Sequence, residues 1–139
     1  MVFTYYNGHI YMLVNNEENK VLEIYLVEKD KITLLGKINY GNLSVSAIYL
    51  KSPFDVSDPA LTVISKNRLA VEAEFEGGEH GLLVVDMDTK ESYAIKTSTT
   101  KYFIYMDAIG DTGIIAIFTS YTLLFVDLVK GEEIYKITR

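Results

Sequence analysis

The chain has 139 residues and a mass of 15.7 kDa, enough for one domain, and its 49% hydrophobic content excludes disorder as a description of the whole. A formal charge of −6, from 19 acidic against 13 basic residues, opposes phosphate backbones and acidic lipids, so neither a nucleic-acid nor a membrane partner is expected. With no cysteine there is no disulfide framework, thiolate zinc site or cysteine nucleophile, and the lack of a basic leader before an apolar stretch reads as a cytoplasmic protein without a cleaved signal.

The apolar segments are short, rich in Ile, Val, Tyr, Phe and Thr, and bounded by turn residues, which is the pattern of strands. Phe3 to Tyr6 precedes Asn7-Gly8, a pair that tolerates the positive φ of a two-residue hairpin turn, and His9 to Val14 follows. The polar run Asn15 to Lys20 leads to Val21 to Val27, and Glu28 to Lys31 leads to Ile32 to Ile38, completing a four-stranded meander over 3–38. Residues 39–59 read as a surface excursion. Ser44 to Leu50 has strand character there, whereas Pro53 and Pro59 lack donors and push their predecessors away from the helical region. Further strands are expected at Leu61 to Ile64, Leu69 to Phe75, Leu82 to Val85 and Ser92 to Thr97. They continue at Tyr102 to Met106, Ile114 to Phe118, Leu123 to Val126 and Glu133 to Thr138. No stretch carries a capped 3.6-residue stripe, so the fold class is all-β.

A repeat organises these strands. Leu82-Leu83-Val84-Val85-Asp86 returns as Leu123-Leu124-Phe125-Val126-Asp127, 41 positions on, and both copies continue through a Lys or Gly and a Glu into a last strand. Units 3–38, 60–97 and 101–138 follow, three four-stranded antiparallel meanders. A strand, then Asp, a short turn and a strand resembles the third and fourth strands of a β-propeller blade, as in the tryptophan-aspartate repeat family, with Val85-Asp86 and Val126-Asp127 where that family has Trp-Asp. The resemblance implies a propeller-type platform for protein interaction. A compact β-sandwich or barrel is the alternative architecture.

The chemistry-bearing residues are few. His80 lies in Glu76-Gly77-Gly78-Glu79-His80-Gly81; with Glu76 and Glu79 it has the ligand types of a metal site, but an acidic, glycine-rich tip is more simply solvated, and no metal or other cofactor is expected. The pairs Asp55/Asp58, Asp86/Asp88 and Asp107/Asp111 would suit a carbohydrate-active enzyme. Asp86 and Asp127 recur at one repeat position, however, and a group shared by repeats caps turns where catalysis needs an asymmetric set. No catalytic residue is assigned. The chain therefore reads as a non-enzymatic interaction or scaffold module, with a small-ligand-binding β domain as a further alternative.

Its partner-contact residues are expected in the excursion: Leu43, Ile48, Tyr49, Leu50 and Phe54. Eleven Tyr residues, with Tyr5, Tyr6, Tyr11, Tyr25, Tyr40 and Tyr49 in the first third, suit a contact face. Propellers close with four or more blades, and three leave two apolar faces bare. A protein partner or a second copy is expected to cover them; two copies would give a six-bladed ring.

Overall fold

The computed structural model describes residues 1–50 and 62–138. It consists of strands β1 (Val2–Tyr6), β2 (His9–Asn16), β3 (Val21–Val27), β4 (Ile32–Asn39), β5 (Val45–Tyr49), β6 (Thr62–Ser65), β7 (Arg68–Phe75), β8 (His80–Asp86), β9 (Ser92–Lys96), β10 (Tyr105–Ala108), β11 (Ile114–Phe118), β12 (Thr122–Asp127) and β13 (Glu132–Thr138). Among the described residues the only helical turn is a 3-10 turn at Tyr40–Leu43. The class is all-β, in three antiparallel sheets: β1-β2-β3-β4, β5-β7-β8-β9 with β6 also on β7, and β10-β11-β12-β13.

Turn chemistry sets the hairpins. Asn7 and Gly8 have φ of 50° and 81°, and Lys66 and Asn67 have φ of 49° and 58°, so the first hairpin of each of the first two sheets closes through two left-handed residues whose twist matches the strands. At the last hairpins of the second and third sheets the repeated aspartates do one job. Asp86 Oδ1 accepts the N–H groups of Asp88 (2.9 Å) and Thr89 (3.2 Å), and Asp127 Oδ1 accepts those of Val129 (2.9 Å) and Lys130 (3.0 Å). Lys90 and Gly131, also 41 positions apart, then turn the chain back with φ of 65° and 75°. These aspartates cap turns.

The segment expected as an excursion departs from that reading at its start. β5 pairs with Glu72–Phe75 of β7, and β6 pairs with Arg68–Val71, so the two lie end to end along one edge of β7 and the middle sheet has five strands. The cause is the length of β7: eight residues offer more edge than the four of β6 can cover. In the third sheet, β10 begins at Tyr105 where Tyr102 was expected to start it; the ring of Phe103 is buried and its N–H donates to the Glu72 carboxylate (3.0 Å) in place of a ladder partner.

The middle sheet is covered on both faces. Leu69, Val71, Ala73, Phe75, Leu83 and Val85 point toward the first sheet and pack with Leu13, Leu22, Ile24 and Ile38. Ala70, Leu82, Val84 and Ile95 point the other way and pack with Met106, Ile115, Ile117, Leu124 and Val126 of the third sheet. Strands buried on both faces read as continuous apolar runs, as β8 does.

The sheets are also joined at one end, where their first hairpin turns meet. Tyr6 Oη donates to Asp111 (3.0 Å) and accepts the N–H of Asn67 (3.0 Å), while Ser65 Oγ donates to the Gly110 carbonyl (3.0 Å) and accepts the N–H of Gly113 (2.9 Å). β1, β6 and β10 thus stand side by side as the innermost strands.

Candidate functional site

Two places concentrate groups that the fold itself leaves unexplained: a polar cluster in the middle sheet, and the outward faces of the flanking sheets.

The cluster is built by β7 and β8. Residues two apart on a strand share a face, so Glu72 and Glu74 both point toward the third sheet, and His80, opposite Glu74, joins them. His80 Nδ1 lies 3.0 Å from Glu72 Oε2 and Nε2 lies 3.4 Å from Glu74 Oε1, and Tyr49 Oη donates to the same Glu74 oxygen (3.0 Å). Burial, the hydrogen bonds with Tyr102 and Glu74, and the Glu74 charge push the Tyr49 phenol well above its ordinary range. Tyr102 meets the imidazole edge to face at 4.7 Å between centroids.

His80 is therefore not at a solvated hairpin tip. It is 2% exposed, and its partners are Glu72 and Glu74 in place of Glu76 and Glu79. Both ring nitrogens face carboxylates and the carboxylate of Glu72 also holds the Phe103 N–H, so the cluster ties the middle sheet to the chain entering the third. Sequence reasoning missed it because a strand with Glu at alternate positions reads as solvent-facing on that side; the signal available was the unbroken apolar run of the neighbouring β8. Among the described residues, no group of three or more acidic or histidine side chains could hold a metal ion.

The outward faces are built by register. On the first sheet Phe3, Met12, Tyr25 and Leu34 are opposed across the four strands, and so are Tyr5, Ile10, Val27 and Ile32. On the third sheet Tyr105, Phe118, Leu123 and Ile137 form one such row, and Phe125 and Tyr135 are opposed in the next. Tyr5 is 71% exposed, Ile32 57% and Tyr135 60%. The row on the third sheet lines a groove of about 550 Å³ together with Ile104, Thr119 and Thr122. Charges on these faces are already partnered: Glu23 by Lys37 (3.8 Å) and the Tyr25 hydroxyl (3.1 Å), Asp107 by the Tyr105 hydroxyl (3.2 Å) and the Ala108 N–H (2.8 Å). Apolar rows of this extent, with their few charges compensated, have the composition found at interaction surfaces.

The expected contact residues are dispersed. Ile48 is buried in the core between the first and middle sheets, with Leu43 and Leu50 packed partly against it. Tyr49 and Leu50 line a cleft of about 270 Å³ with Met1, Val14, Asn15 and Glu17. Phe54, Asp55 and Asp58 lie outside the described residues.

Three four-stranded meanders with innermost strands side by side and sheets stacked face on face define a propeller-type β protein, here three consecutive blades with an extra edge segment in the second. No sequence family matches the chain, and no curated protein is similar to it in sequence. In fold it is similar to the crystal structure of the WD40 domain of SCAP from fission yeast, with a TM-score of 0.52 and 13% identity, over 98% of this chain and 32% of that one. The chain spans about a third of the length of that structure. No helix among the described residues is long and apolar enough to cross a membrane.

Proposed function

We propose that the chain is a non-enzymatic protein-interaction module of propeller type that completes its ring of blades by self-association. The observation that carries this reading is the contrast between the middle sheet, buried on both faces, and the flanking sheets, each with an open apolar face. At roughly 25 cal/mol per Å², covering several hundred Å² of such surface yields many kcal/mol against the entropic cost of association. A scaffold role fits a fold in which the repeated carboxylates cap turns and the buried His80 joins two sheets. Within the same reading the module works in the cytoplasm, and the cleft beside Tyr49 and Leu50 is a second contact area, for an outside protein.

Multi-angle light scattering tests the proposal. The expected mass at micromolar concentration is twice 15.7 kDa. A species that stays at 15.7 kDa across the concentration range overturns self-association. Glu17→Lys is expected to leave that mass unchanged, since it alters the exposed rim of the cleft and not the sheet faces.

A further inference from the structure

Resting on that reading, we propose that the second copy docks head to tail, the outward face of the third sheet of one copy against the outward face of the first sheet of the other, with Tyr135 supplying a hydrogen bond across the junction. The repeat shows why. Leu83 and Val85 face the preceding sheet and are buried by it, and so are Leu124 and Val126, which stand 41 positions later. Leu82 and Val84 face the following sheet and are fully buried by it. Leu123 and Phe125, at the same repeat positions, face where a following sheet would stand and remain half-exposed.

The cross-strand partners repeat as well. Leu82 opposes Ile95 and Val84 opposes Tyr93 in the middle sheet; Leu123 opposes Ile137 and Phe125 opposes Tyr135 in the third. The third sheet thus carries the face with which the middle sheet grips its successor. The complementary face, the kind a sheet turns toward its predecessor, is open only on the first sheet among the described residues. A face of one kind meets a face of the other at both junctions inside the chain, and the same operation applied once more joins two chains. Used reciprocally it makes two identical junctions and a closed ring of six sheets, within the range of blade numbers at which propellers close.

One residue sharpens the assignment. Tyr93 Oη donates to the carbonyl of Leu128 in the last turn of the third sheet (2.5 Å) and so pins the middle sheet to its successor. Tyr135 occupies the place of Tyr93 in the third sheet and is 60% exposed. In the ring its hydroxyl donates to the last turn of the other copy's first sheet, at residues 28–31.

Mixing two variants tests the pairing. Ile10→Glu spoils the first-sheet face and Phe118→Glu the third-sheet face, both outward and exposed, so each variant is expected to keep its β circular dichroism; Ile32→Glu and Tyr135→Glu replace them if either does not. In a head-to-tail pair each variant alone has both junctions damaged and stays at 15.7 kDa. An equimolar mixture joins one undamaged face of each kind and recovers a species of twice that mass, weaker than the native pair because one junction remains damaged. If instead one variant alone keeps the native dimer, or mixing recovers nothing, like faces pair and the head-to-tail assignment fails while self-association stands. A wild-type chain that is monomeric throughout overturns both. Tyr135→Phe is expected to weaken the dimer several-fold; an unchanged dissociation constant removes the assigned hydrogen bond.

Discussion

β8 and β12 carry nearly the same run, Leu82-Leu83-Val84-Val85 and Leu123-Leu124-Phe125-Val126, in the same repeat position, yet in β8 the run is buried throughout and in β12 only at alternate residues. The sequences differ little; the neighbours differ. β8 has a sheet on each side and β12 has one. A continuous apolar run is the mark of a strand covered on both faces, and β12 keeps that mark where the single chain covers one. In the proposed ring the flanking sheets take on the two-sided burial that the middle sheet already has.

The largest effect separates the two strands directly. Leu83→Ala empties a fully buried site and is expected to cost about 2–5 kcal/mol in urea unfolding, whereas Leu123→Ala, measured at concentrations where the chain is monomeric, is expected to cost under about 1 kcal/mol. Equal costs would break the comparison. Gly81 is the most closely enclosed glycine of the middle sheet: a Cβ there would lie 2.0 Å from the Ile95 carbonyl oxygen, a backbone atom that cannot yield cheaply, so Gly81→Ala is expected to shift β9 away and lower the melting temperature.

Glu72→Gln probes the junction between middle and third sheets. It weakens the contacts to His80 and to the Phe103 N–H, with an expected cost of about 1–3 kcal/mol, and faster hydrogen exchange at Phe103 than in the first sheet is its signature. The paired turns give smaller effects. Gly131→Ala places a Cβ at φ 75° and is expected to cost about 1 kcal/mol, while Lys90→Gly relieves the same strain at φ 65° and gains no more than about 0.5 kcal/mol, since the freer unfolded chain offsets part of it.

The smallest effect is acid sensitivity at the first of these turns. The N–H groups of Asp88 and Thr89 hold the Asp86 carboxyl below its ordinary value. A carboxyl depressed in the folded state contributes its stability in full above the unfolded value and loses it as pH falls through the folded one. Asp86→Asn is therefore expected to flatten the acid limb of a pH–stability curve, and an unaltered limb would deny the turn that role.

Much of this architecture is written locally. The Asn7-Gly8 turn, the recurring Asp86 and Asp127 and the apolar runs specify hairpins from neighbouring residues alone, and the 41-residue repeat specifies that blades stack. β5 was legible as a strand in Ser44 to Leu50 but not as part of the middle sheet, because its partner Glu72–Phe75 is fixed by the length of β7 and not by anything adjacent. The Glu72, Glu74 and His80 cluster was hidden for a related reason: polar letters on a strand read as wet until a second sheet is laid over them. Phe103 likewise reads as a strand residue until its N–H is claimed from another sheet.

Side-chain footprinting with hydroxyl radicals tests most directly that the open faces are covered in solution. At concentrations where the mass is doubled, Tyr5, Phe118 and Tyr135 are expected to be protected while Tyr121, 61% exposed in the turn between β11 and β12, reacts freely, and the protection is lost on dilution. Face residues that react as fast as Tyr121 at every concentration would contradict the account.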